Sequence, residues 1–331
     1  MQGTVWGSLF CTATMDKLGQ LMYNNSNLVY KYKGVVDTPC LGMVDEILSI
    51  QQCSSKSVKT NAVINAFVEL KKLRFSPDKC HRIHIGKKSN SEPMCPDLYI
   101  HEDVMKSSTK EKYLGDIIST KGATKTTLED RKKKGYAIVA EILAILKDIP
   151  LGQHMMEIGL QLRQAMLMNG ILYNSEAWHD ISDDDIKVLE SIDEHLLRSL
   201  VKAHSKTPLE FMYMETGSTP IRHIVSCRRL LYLQKILKRP EKELVRRILI
   251  AQRDNPTKGD FVKLVEKDLN QMEEDLDFTQ IQSMSIRDFK KLIKLKTKIT
   301  AFKRLQGLQS KHSKIQHIIY DDHDQSHLHQ H

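Results

Sequence analysis

The pattern of apolar and polar residues changes character near Gly122. Before this point, short apolar runs are separated by Gly, Pro and Asn, which is typical of a region that mixes helices and strands. After it, apolar residues recur every three or four positions over long stretches, which predicts helices. The pattern therefore predicts an α+β fold with a mixed first part and a helical second part.

In the mixed part, the pattern predicts one helix between strand-forming segments. Residues 41–50 are predicted to form a hairpin in which apolar residues flank an acidic pair, and residues 37–39 are predicted to form the turn before it. Apolar residues at helical spacing predict a helix over 58–73. Residues 80–85 alternate like a half-buried strand, and 113–118 are predicted to form another short strand.

In the helical part, one helix start is marked by a capping box. Ser182 is followed three residues later by Asp185, and apolar residues then recur through Leu200, which predicts a helix from this point. Proline at the first helical position, Pro220, predicts another start. The remaining helices are predicted to fill 128–149, to run from 220 to about 238, to begin near 241 and near 259, and to span about 285–305.

The composition favours a polyanionic partner. The 331 residues include 50 Lys and Arg against 41 Asp and Glu, which gives a net charge of +9 and an isoelectric point near 9.1. A polyanionic partner is the commonest functional explanation of such an excess. The alternative is a basic protein whose charge serves no binding.

Other features of the sequence limit the class of protein. No apolar segment approaches the length of a membrane span, and no basic start precedes an apolar signal core. The six cysteines have no regular spacing, so we expect reduced thiols. These observations predict a soluble intracellular protein, nuclear or cytoplasmic, with no membrane partner.

Six segments form a collinear series that resembles a known family. They are Gln2–Phe10, Met43–Glu46, Asn61–Gly86, Lys112–Gly115, Gly170–Trp178 and Glu215–Leu233. Their order and spacing resemble the reverse transcriptase of a non-LTR (LINE-type) retrotransposon, from motif B of the polymerase through its thumb and linker. The resemblance covers about residues 1–255, and its specificity lies in the series rather than in any single motif.

The resemblance implies a division of the chain into polymerase parts. It implies a truncated palm subdomain holding motifs B to E, then a helical thumb and a helical linker. A basic helical region and a His-rich tail, predicted to be disordered, follow. The implied boundaries are 1–121 for the palm remnant, 122–204 for the thumb, 205–255 for the linker, 256–320 for the basic region and 321–331 for the tail.

The resemblance also implies site residues. The acidic pair falls where the family has an aromatic-x-Asp-Asp motif, so Asp45 is carried over as a catalytic ligand of Mg²⁺ or Mn²⁺, with Glu46 beside it. Lys79 matches a motif D lysine that can protonate pyrophosphate. Template and nucleotide contacts are carried over to Gln2, Gly3, Gly7 and Ser8. Deoxynucleotides are the small-molecule substrates implied.

Departures from the family pattern argue against activity of the chain alone. In the family, motif A supplies the first metal-binding acid and lies upstream of motif B. The sequence here starts at motif B, so we expect no motif A acid in it. Glu46 replaces an aspartate, and its extra methylene extends the carboxylate by about 1.5 Å, which octahedral magnesium tolerates poorly. A solvated acidic pair and an exposed Lys79 are the alternative interpretations.

Two basic segments are candidate nucleic-acid contacts. Arg131, Lys132, Lys133 and Lys134 are consecutive in a predicted thumb helix, and eight Lys or Arg lie between 287 and 304 against one acid. Such residues neutralise phosphates and release counterions. The expected partners are RNA and RNA–DNA duplex. The function predicted is a reverse transcriptase fragment that is inactive alone, and the alternatives are a non-catalytic nucleic-acid-binding remnant and a helical interaction protein.

Overall fold

A computed structural model describes most of the chain. The described residues are 5–25, 28–38, 40–43, 46–85, 97–120, 123–150, 152–178 and 181–309, with the backbone alone for 5–10, 43, 123, 124, 308 and 309. They divide into two compact units. The mixed unit comprises the described residues of 1–126 and 239–257, and the helical unit comprises those of 127–238 and from 258 onwards.

The fold is α+β and predominantly helical, as the apolar pattern predicts. The helices are α1 Val5–Tyr23, α2 Ser54–Leu70, α3 Ala123–Leu146, α4 Gln153–Leu162, α5 Asn169–Ile171, α6 Asp183–Leu200, α7 Leu209–Glu215, α8 Ile221–Leu237, α9 Leu244–Asp254, α10 Phe261–Gln271, α11 Phe278–Ser283 and α12 Ile286–Gln309. A π-helix, Arg163–Met168, connects α4 to α5. Within the part of the chain that the structure describes, no helix is long and apolar enough to cross a membrane.

The strands of the mixed unit pair two at a time. They are β1 Tyr30–Tyr32, β2 Val36–Thr38, β3 Leu41–Met43, β4 Glu46–Leu48, β5 His81–Arg82, β6 Tyr99–Ile100, β7 Asp103–Val104, β8 Lys106–Ser107, β9 Lys110–Tyr113 and β10 Asp116–Ser119. The pair β5–β8 is parallel, and the pairs β1–β2, β3–β4, β6–β7 and β9–β10 are antiparallel. No larger sheet occurs among the described strands.

The hairpin predicted at 41–50 is confirmed, because Leu41 pairs with Leu48 and Met43 with Glu46. Two other predictions differ from the structure. Residues 37 and 38 of the turn expected at 37–39 instead belong to β2, which pairs with β1, and residue 39 lies outside the described residues. The single strand expected at 113–118 is a hairpin that turns at Leu114 and Gly115.

The unexpected turn between β9 and β10 has a backbone that explains it. Leu114 and Gly115 both have positive φ, 47° and 85°. This is the conformation of a two-residue type I′ turn, whose twist matches that of the strands it joins. Leucine rarely adopts positive φ, and it lies in an apolar run, so the sequence pattern predicts a continuous strand rather than a turn.

Each unit has its own core. In the mixed unit, Leu18 and Met22 of α1 pack with Phe67 of α2. Also in this unit, the Gln252 side-chain amide of α9 donates a hydrogen bond to the Tyr32 hydroxyl at 2.9 Å. The described cysteines, Cys11, Cys40, Cys53, Cys80 and Cys227, are free thiols.

The helical unit encloses a larger core, formed mainly by α3, the π-helix and α6. Its fully buried members include Ile142, Leu167, Met168, Ile171, Leu172, Leu189, Ile192, Leu196 and Leu197. A Cβ at Gly135 of α3 would lie 2.9 Å from the Ile171 side chain and 3.1 Å from that of Ile192, so glycine permits this close approach. The predicted capping box is confirmed, because the Ser182 hydroxyl accepts from the Asp185 N–H and the Asp185 carboxylate accepts from the Ser182 N–H.

Candidate nucleic-acid interface

The catalytic residues that the resemblance implies are described only in part. Asp45 lies outside the described residues, whereas Glu46 is the exposed first residue of β4. Burial, and then the charge of Glu46, raises the pKa of the nearby Tyr113 phenol. Lys79 is exposed at the end of a 3₁₀ turn, Pro77–Lys79, and forms no ion pair with Glu46.

The residues to which the resemblance carries template and nucleotide contacts lie at the start of the chain. Gln2 and Gly3 are outside the described residues. The backbones of Gly7 and Ser8 lie in the first two turns of α1. The template and nucleotide contacts carried over to these four residues stay a prediction.

A divalent-metal site is not formed by the described residues. No group of three or more His, Cys, Asp or Glu side chains among them could hold a metal ion. Two-metal phosphoryl transfer needs acids from more than one segment of the chain. Glu46 is the described acid of the hairpin, and one carboxylate cannot by itself hold two metal ions.

The basic segment of α3 is divided by burial. The Arg131 side chain is only 4% exposed, and its guanidinium lies 5.3 Å from the centre of the Tyr173 ring, which is within the range of a cation–π contact. Lys132, Lys133 and Lys134, here called the α3 lysines, are exposed. The structure thus brings three of the four predicted residues to the surface and turns the fourth into the core.

The α3 lysines form an open positive surface. No carboxylate of the described residues forms an ion pair with any of them. Successive helical residues are about 100° apart, so three in a row cover about 200° of the helix circumference. One turn further on, the exposed residues Ala137 and Ala140 have short side chains that leave room for a polymer backbone beside the helix. This geometry suits contacts with several phosphates.

The basic residues of α12 differ in their pairing. Lys296 forms an ion pair with Glu274, and Lys303 forms one with Glu273 at 2.6 Å. The lysines at 290, 291, 294 and 298 are exposed and form no ion pair with a described residue. Part of the charge of α12 is therefore paired within the helical unit, and part faces solvent unpaired with any described residue.

No protein-family model, no curated protein and no solved structure matches the chain.

The sequence interpretation missed a buried charge network in the helical unit. Arg163 donates two hydrogen bonds of 2.6 Å to the Asp193 carboxylate, and the Tyr213 hydroxyl donates a third at 3.0 Å. Burial, and then the Asp193 charge, raises the pKa of the Tyr213 phenol well above its ordinary value. The available signal was an aspartate within the apolar stripe of α6, between Ile192 and Leu196.

A second buried pair connects α8 to α10. The Arg229 guanidinium donates to the Asp268 carboxylate at 2.6 Å, and the Ser226 hydroxyl donates to its other oxygen at 2.8 Å. Burial raises the pKa of the Asp268 carboxyl, and the Arg229 charge opposes this rise. These hydrogen bonds connect α8 to α10 inside the helical unit.

Proposed function

We propose that the chain binds RNA and RNA–DNA duplex without sequence preference, as a non-catalytic part of a retrotransposon reverse transcriptase. The observation that carries this proposal is the row of exposed α3 lysines, with which no described carboxylate forms an ion pair. Phosphate contacts supply most of the affinity in sequence-independent binding. The resemblance to the thumb of non-LTR reverse transcriptases supports a duplex as the ligand, because that thumb contacts the primer–template duplex.

We expect binding that weakens steeply as salt rises. Each neutralised phosphate contributes about 0.9 to the log–log slope, so three contacts weaken binding about fortyfold between about 50 and 200 mM salt. Changing the three α3 lysines to Gln should lower the slope by about 2.7. Fluorescence anisotropy with a labelled RNA–DNA duplex measures both values.

A matched control removes the same charge elsewhere. Lys71, Lys72 and Lys110 are exposed in the mixed unit, and changing them to Gln leaves α3 intact. This control should change the slope by less than about one. Equal slopes for the two triple variants, or affinity that does not depend on salt, would contradict the proposal. If changing Lys290, Lys291, Lys294 and Lys298 of α12 to Gln abolishes binding by itself, the duplex interface lies on α12 instead.

The second candidate function is polymerase activity, and we expect none from the chain alone. Asp45 and Glu46 are adjacent acids in the sequence, and two-metal catalysis requires further acids from other segments. The measurement is extension of a DNA primer on an RNA template with Mg²⁺ and then with Mn²⁺. Extension that disappears in the Asp45→Ala variant would show an active site and overturn this expectation.

A further inference from the structure

The side of α12 that faces away from the helical core carries an apolar stripe. Leu295, Ile299 and Phe302 are 56%, 40% and 48% exposed, and their spacing of four and three residues places them on one face. The opposite face of the helix is buried and consists of Phe289, Ile293, Thr297, Ala301 and Leu305. We call the three exposed residues the outer stripe.

Positive charge lies along one side of the outer stripe. At about 100° per residue, Lys291 and Lys298 project within about 60° of Leu295, and Lys294 lies next to them. None of these three forms an ion pair with a described residue. We call Lys291, Lys294 and Lys298 the flanking lysines.

We propose that the outer stripe and the flanking lysines bind an acidic amphipathic helix of another protein. A partner helix that presents apolar residues at the same spacing covers the outer stripe. Asp or Glu beside those apolar residues pairs with the flanking lysines and steers the partner towards α12. This interaction is separate from duplex binding by the α3 lysines and does not depend on it.

Charge and chemistry select this occupant over others. A second copy that docked by the same face would bring its flanking lysines against those of the first, which is repulsive. Phosphates of a nucleic acid would contact the lysines and gain nothing from Leu295 and Ile299. An acidic helix is the occupant that uses both the apolar and the charged part of the face.

The test uses the full chain and a labelled peptide about three heptads long, with Leu at the a and d positions and Glu at e and g. A peptide of the same composition in shuffled order is its control. We expect saturable binding of the patterned peptide in fluorescence anisotropy. Changing the outer stripe to Ser should weaken binding at least tenfold, and changing the flanking lysines to Gln should weaken it and reduce its salt dependence.

Two control variants separate this face from the rest of the molecule. Ile145→Ser with Ile286→Ser removes exposed apolar residues outside the outer stripe and should leave binding unchanged. The Gln variant of the α3 lysines should retain peptide binding and lose duplex binding. Circular dichroism checks that each variant is folded, and the Gln variant of the flanking lysines keeps the test valid if the Ser variant is unfolded.

Several results would overturn the proposal. These are absence of saturable binding, equal binding of the shuffled peptide, and unchanged binding by both the Ser and the flanking-lysine variants. A wild-type dimer that the Ser variant dissociates would identify a second copy as the occupant. Loss of duplex or anionic-vesicle binding in the Ser variant, without peptide binding by the wild type, would assign the face to nucleic acid or to lipid.

Discussion

Replacing Arg163 with methionine should lower the free energy of unfolding of the helical unit by about 3–5 kcal/mol. The substitution leaves the Asp193 carboxylate fully buried, with the Tyr213 hydroxyl as its donor among the described side chains. It also removes the hydrogen bond that Arg163 donates to the Thr219 carbonyl at 3.2 Å. An uncompensated buried charge is among the most destabilising changes in a folded protein.

Urea unfolding followed by Trp178 fluorescence measures this loss. The chain has two tryptophans, so a Trp6→Phe background confines the signal to the helical unit. Combining Arg163→Met with Asp193→Leu should recover most of the lost stability, because no lone charge then remains buried. A double variant as unstable as the single one would contradict this account.

A surface ion pair provides the control for this experiment. Lys187 and Asp184 lie 2.8 Å apart with most of each side chain in solvent. Asp184→Asn should therefore change the free energy of unfolding by less than about 0.5 kcal/mol. A large effect of Asp184→Asn would show that burial does not explain why the Arg163–Asp193 pair contributes more to stability than the Lys187–Asp184 pair.

The helical unit should lose about 3 kcal/mol of stability between pH 6.5 and pH 4 through His223 alone. Burial, and then the charges of Arg304 and Arg222, lowers the pKa of this histidine from 6.5 to about 4. The side chain is 6% exposed, and its Nε2 atom has no hydrogen-bond partner among the described residues. The folded state therefore keeps the imidazole neutral, whereas the unfolded state takes up a proton as pH falls below about 6.5.

The sign of this effect follows from the lowered pKa. Stability is complete above the unfolded-state pKa and is lost as pH falls towards the folded-state value. Urea unfolding of the wild type and of His223→Gln across this pH range measures the change in the free energy of unfolding. Carboxylates titrate in both proteins, so the difference between the two pH profiles reports His223. The control is His195→Gln, which changes an exposed histidine of α6 and leaves His223 in place. Its pH profile should match that of the wild type. Identical pH dependence of the wild type and His223→Gln would contradict the prediction.

Local features of the sequence determined the elements that depend on near neighbours. The capping box at Ser182 and Asp185 needs only residues three positions apart, so its start of α6 follows from the sequence. The hairpin β3–β4 likewise follows from apolar residues that flank an acidic pair in the sequence. Pro220 predicted the start of α8, because proline is favoured at the first helical position, and apolar residues at helical spacing predicted α12. The α+β class follows from these elements together.

Contacts between distant residues were decided only by the tertiary structure. The partners Arg163 and Asp193 are 30 residues apart, and a charged residue in an apolar stripe does not reveal which charge it meets. Arg131 belongs to a basic run in the sequence, yet the position of Tyr173 makes it a core residue. In α12, periodicity shows that apolar residues occur on several sides, but only packing determines which side faces solvent. The physical reason is that pairing and exposure depend on the surface that the other helices bury, and neighbours along the chain do not encode that surface.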